Sequence, residues 1–159
     1  MQPINIVTIV DVIGALSKGA LRDNLHMADN GWYSERKGTA DLATACYPGQ
    51  RISWVVYAID VQTPVLISAI GFLTTDNNQP VQDLVTTLGF GGAPHWSNWS
   101  GFVPCYLPPG LYGYRLQLQL GRGSRSTMSI DTPALNVLPF FVGLEQHHEP
   151  AARNSSDDR

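Results

Sequence analysis

Charge is what this sequence has least of. Asp, Glu, Lys and Arg make up 14% of its 159 residues, against about a quarter in an ordinary globular chain. Ser, Thr, Asn, Gln and apolar side chains must therefore cover much of the surface, and the like-charge repulsion that keeps proteins dispersed is weak. Ten basic against thirteen acidic side chains leave a net charge of −3. That balance excludes a nucleic-acid binder, which needs a basic stripe to neutralise phosphates. The nearest approach to one, Arg115, Arg122 and Arg125, reads as a solvated strand end and turn.

Cysteine is nearly absent as well. Cys46 and Cys105 are the two thiols, too few for a disulfide framework. Two reduced thiols is the favoured state, and one bridge stays open if the Cα atoms approach within about 7 Å. Long apolar runs are missing too. Met1-Gln-Pro-Ile-Asn-Ile-Val carries no basic leader and Asp11 interrupts the apolar stretch behind it, so neither a signal peptide nor a membrane span is expected. The expected location is cytoplasmic.

What the chain does have is 15 Gly and 11 Pro beside 43% hydrophobic residues, a composition that suits a turn-rich all-β domain. Its length fits one domain. Residues 4–13 are β-branched and apolar on both faces, which predicts a buried strand. A long loop follows over 14–31, with a helical turn around Ala20–Leu25, and Trp32-Tyr33 opens a short strand. Ala40–Cys46 and Ile52–Asp60 are expected to pair across Tyr47-Pro48-Gly49-Gln50, where Gly accepts the positive φ of a type II turn. Val65–Leu73 is a further strand. Val81, Leu84, Val85 and Leu88 repeat at helical spacing between Pro80 and Gly89, predicting a short helix.

Leu111–Leu120 alternates most cleanly. Tyr112, Tyr114, Leu116, Leu118 and Leu120 share one face, and Gly113, Arg115, Gln117 and Gln119 the other, the pattern of a strand half buried and half wet. Met128–Ile130 and Leu135–Val142 supply the last strands. These elements predict an all-β fold, an antiparallel two-sheet β-sandwich of jelly-roll character with one short helix, spanning residues 1–144. Residues 145–159 form a polar C-terminal tail, expected to dock on a neighbouring copy of the chain or to thread along its surface.

Signatures of catalysis and metal binding fail on inspection. Gly14-Ala-Leu-Ser-Lys-Gly19 has phosphate-loop spacing, but Ala20-Leu21 stands where Lys-Ser/Thr is needed. In His148-Glu149-Pro150-Ala-Ala-Arg153, arginine replaces the second histidine of a zinc-protease helix. No Gly-x-Ser-x-Gly elbow is present. Asp11, Asp41 and Asp60 read as hydrogen-bond acceptors that tie turns together, because an unpaired buried carboxylate is costly. The expectation is no catalytic residues, no metal and no cofactor.

One constellation suits ligand binding. His95, Trp96, Asn98 and Trp99, with Tyr106 beyond, place aromatic rings beside short polar side chains, which fits a sugar face or an apolar small molecule. The competing reading has Trp96 and Trp99 capping the open end of a sandwich.

Gly38-Thr-Ala-Asp-Leu42, the Pro48-Gly49 turn and the strand from Arg51 to Asp60 carry a resemblance to a known family. They resemble the bacterial PixA/AidA inclusion-body proteins, as do the Ile/Val-rich opening strand ending near Asp11 and Asp131-Thr-Pro133-Ala-Leu-Asn-Val137. The resemblance implies a small cytoplasmic β-sandwich, linked in some members to cell-density-regulated expression and host interaction, with no enzymatic activity. Together with the low charge, it leads to a non-enzymatic protein that self-associates as a homo-oligomer, most simply a dimer. The alternative is a carbohydrate or small-ligand module using the Trp96/Trp99 loop.

Overall fold

The computed structural model describes residues 1–73, 80–81, 97–123 and 126–140. The chain forms two β-sheets. Strands β1 (Ile4–Val10), β2 (Leu25–Asp29), β4 (Arg51–Ala58) and β7 (Asn98–Phe102) make the first, in the order β2-β1-β4-β7. Strands β3 (Ala43–Cys46), β5 (Val65–Leu73), β6 (Pro80–Val81), β8 (Gly110–Leu120) and β10 (Ala134–Val137) make the second, in the order β3-β10-β8-β5-β6, with β9 (Thr127–Ile130) also on β8.

The all-β expectation holds, but the sheets are mixed rather than antiparallel. β1 runs parallel to β4, and β3 parallel to β10. The cause lies at Pro48-Gly49. Gly49 does take the positive φ, at 76°, yet β3 and β4 do not pair across it: the turn carries the chain from the second sheet into the first. A local turn signal fixes a reversal of direction and leaves the partner strand undetermined.

The first strand is shorter than expected. It ends at Val10, and Asp11 caps helix α1 (Val12–Lys18), its side chain accepting from Gly14 N–H at 2.9 Å. Gly19 closes the helix in the left-handed conformation at φ 67°. The stretch with phosphate-loop spacing is thus an ordinary capped helix. A 3₁₀ turn at Arg22–Asn24 stands near the expected helical turn. Pro80 and Val81 pair with Leu73 and Phe72 in β6 rather than opening a helix; the rest of the helix expected at 80–88, and the tail, lie outside the described residues.

β8 behaves as its alternation requires. Tyr114, Leu116, Leu118 and Leu120 are buried, whereas Arg115, Gln117 and Gln119 reach partly into solvent. Its neighbour runs antiparallel to it in two pieces, β9 and β10, broken at Asp131-Thr-Pro133. Arg115 holds that break through a two-pronged ion pair to Asp131, both contacts at 2.6 Å. A single hydrophobic core takes in both sheets, including Ile6 and Trp54 from the first and Tyr114, Leu118 and Leu135 from the second. Trp54 Nε1–H donates to the Tyr114 hydroxyl at 3.1 Å with the rings edge-on, so the two sheets are joined by a polar contact inside an apolar core.

Gly38–Leu42 is a strap rather than a strand. Gly38 N–H donates to Met27 O and Met27 N–H to Thr39 O, which covers the edge of β2. Ala43 exchanges backbone hydrogen bonds with Glu35, which covers the edge of β3. Thr132 Oγ1 donates to Ala40 O at 2.6 Å, and Leu42 is fully buried. The strap at β2 and Glu35 at β3 each cover part of an open sheet edge, the places where a β-protein is otherwise exposed to unwanted strand pairing.

Candidate functional site

A groove of about 250 Å³ opens between the start of β1, the loop after β2 and the Tyr47–Gln50 turn. Its shape begins with the buried carboxylate of Asp29. Oδ1 accepts from Gly31 N–H at 2.9 Å, which folds the chain back immediately after β2. Ser34 Oγ accepts from Ala45 N–H at 3.0 Å and ties the far end of the loop to β3. A Cβ at Gly31 would stand 2.5 Å from Ser34 Oγ, so a larger residue there would displace that hydroxyl from Ala45 N–H. Lys37 clamps the loop from outside, with Nζ donating to the carbonyls of Asp29 and Gly31.

The loop so held presents Trp32 and Tyr33, 95% and 72% exposed. Tyr47 lines the facing wall, with Phe140 packed edge-on against it at 6.2 Å. Three amides, Gln2, Asn30 and Gln50, belong to the lining, and two of them are fixed by side-chain hydrogen bonds. Gln50 Nε2–H donates to Gln2 O at 2.7 Å while its Oε1 accepts from Tyr47 N–H at 2.9 Å. Asn30 Oδ1 accepts from Asn5 N–H at 2.8 Å while its Nδ2–H donates to Pro3 O at 3.2 Å.

Cys46 is buried at the end of β3, and burial, reinforced by the Asp29 carboxylate, pushes its thiol up to about 12. It is an inert core residue, and Cys105 is a second, exposed, free thiol. Burial likewise raises the Tyr114 phenol. Asp11, Asp41 and Asp60 act as the sequence suggests: Asp11 caps α1, Asp41 accepts from Arg22 at 2.9 Å, and Asp60 holds Gln62 N–H and Thr63 Oγ1.

The expected ligand loop is not part of the groove. His95 and Trp96 lie outside the described residues. Asn98 is exposed on β7, and Trp99, opposite Trp54 on β4, is half buried against the core. Tyr106 is 76% exposed in the loop after β7. None of these three lines the groove. Its exposed pair, Trp32-Tyr33, lies in a turn and not at the start of the short strand expected there. The signal available was a Gly-Trp-Tyr-Ser tetrapeptide, two large rings between turn-forming residues, where burial in a strand has no flanking apolar support.

Among known proteins, a family model described as a domain of unknown function, DUF8788, matches residues 2–127. The chain belongs to that family. The DUF8788 chain is also similar in fold to an inclusion body protein, PixA, from Burkholderia cenocepacia J2315, seen in a crystal structure. The two share 11% sequence identity over 86% of this chain and 93% of the other, with a TM-score of 0.53. At that identity the likeness establishes a common fold. No curated protein matches the chain. Among the described residues, no helix is long and apolar enough to cross a membrane.

Proposed function

We propose that this DUF8788 chain is a non-enzymatic, cytoplasmic protein of the PixA/AidA inclusion-body kind, a two-sheet sandwich of jelly-roll character that associates with further copies of itself. The observation that carries this reading is the outward side of the first sheet. In register, Ile9 lies between His26 and Tyr57, and Val7 between Ala28 and Val55. Ile9 and Tyr57 are 42% and 57% exposed, and Ile59 and Val61 follow with still larger exposures. Asn5, Ser53, Ser100 and Asn98 give one part of this outward side the polar character usual for a sheet facing water; Val7, Ile9, Val55 and Tyr57 make the rest apolar, and that apolar part is what a second copy would cover.

A second copy is the occupant the charge pattern supports. The net charge is small, charged residues are 14% of the chain, and Arg51 and His26 are the basic side chains of this outward side. Two copies therefore meet face to face with little repulsion, and a two-fold contact needs only that a patch complement itself. The fold shared with an inclusion body protein supports the same reading. Light scattering over a dilution series tests it: mass should rise with concentration to a dimer or beyond, and a constant monomer mass refutes it.

A further inference from the structure

We propose that the groove between Trp32-Tyr33 and Tyr47 is a binding site for a neutral sugar residue. This rests on the groove alone and is independent of self-association.

Among the described residues the lining is made of rings, amides and apolar groups such as Ile4 and Leu138, with no side chain of Asp, Glu, Lys, Arg or His. A charged ligand would lose its hydration without gaining a partner of opposite sign, which is costly. The occupant is therefore neutral. Its size is bounded too, because about 250 Å³ falls just below the range of about 300–1,000 Å³ typical of sites for drug-sized ligands. One ring fits.

The amides decide which kind of ring. Asn30 and Gln50 each use one N–H and one lone pair on the neighbouring backbone. Those bonds fix how each amide points and leave a second N–H and a second lone pair on each. Gln50, 8% exposed, is held rigidly with almost no freedom to turn away. A fixed donor beside a fixed acceptor matches hydroxyl groups, each of which donates and accepts. A wholly apolar ligand would leave these groups unsatisfied on binding. A pyranose presents both parts that the groove requires: C–H faces to lie on Trp32 and Tyr33, and a hydroxyl edge for the amides.

Strand addition, the commonest alternative for a β-protein, is blocked beside the groove. Glu35 already pairs with Ala43, and Ser34 occupies the Ala45 N–H.

The test is saturation-transfer NMR and tryptophan fluorescence on the full chain, with the methyl glycosides of glucose, galactose and mannose, N-acetylglucosamine and fucose as probes. At least one should bind with its ring C–H protons closest to the protein. The Trp32→Ala/Tyr33→Ala variant should bind roughly tenfold more weakly or worse at an unchanged melting temperature, since both side chains stand in solvent. Tyr106→Ala, outside the lining, should bind like wild type. No binding of any probe overturns the proposal, as does binding that survives the double substitution. Capture of a proline-rich peptide in place of every sugar also overturns it, and assigns the rings to peptide recognition.

Discussion

Lys37 Nζ lies 3.3 Å from Oδ1 of Asp29, whose side chain is completely withdrawn from solvent while that of Lys37 is 39% exposed. The pair joins the strap to the end of β2. Asp29 Oδ2 has no hydrogen-bond partner among the described residues, so Lys37 supplies the compensating charge for a carboxylate that water does not reach.

Lys37→Met should therefore destabilise the fold by about 2–3 kcal/mol. This is somewhat less than the ~3–5 kcal/mol for breaking a fully buried pair, because Lys37 is partly solvated. Asp29→Asn in the Lys37→Met background should recover part of the loss by removing the stranded charge. Urea unfolding measures both. A Lys37→Met variant as stable as wild type would show that the pair does not hold the strap.

Tyr114→Phe removes the acceptor for Trp54 Nε1–H in the core between the sheets. A buried donor left without a partner costs about 1–3 kcal/mol, so the midpoint of unfolding should fall accordingly. Trp54→Phe in the same background should cost less than it does alone. Additive losses in that double-mutant cycle would contradict a coupled pair.

The Arg115–Asp131 pair makes a pH prediction. Hydrogen bonding to the Arg115 guanidinium holds the Asp131 carboxyl below its ordinary value. A carboxyl lowered by folding contributes stability that is fully present above its unfolded pKa of about 4 and is lost as pH falls through the lower, folded value. Wild type should therefore lose more stability than Asp131→Asn as the pH falls below about 4. Thermal melts across that window check it, and parallel curves for the two proteins would rule the pair out as an acid-sensitive tie.

How far the sequence revealed this molecule depended on which physics each segment obeys. β8 was legible because a strand with one wet face writes its orientation as alternation, and Leu116, Leu118 and Leu120 are buried as that pattern demands. Val65–Leu73 was legible because Pro64 and the turn residues after it bound an apolar run. Residues 4–13 misled because a segment apolar on every side has no readable period, and the Asp11 cap that divides β1 from α1 sits inside it. Gly38–Leu42 and Pro48-Gly49 misled because pairing is a long-range choice: the strap bonds to Met27, and β3 to β10. The groove was hidden for the same reason. Gln2, Asn30, Gln50 and Leu138 meet through sheet topology that no local pattern encodes.

The proposed self-association runs through the outward side of the first sheet. Sedimentation velocity of the wild-type chain and of Ile9→Lys/Tyr57→Glu, at matched concentrations, tests it. Both positions are solvent-facing, so the substitutions should leave the fold intact, as far-ultraviolet circular dichroism checks. Wild type should sediment as a dimer or larger assembly and the variant as a folded monomer. Identical distributions for the two, whether both monomeric or both assembled, would contradict association through this face.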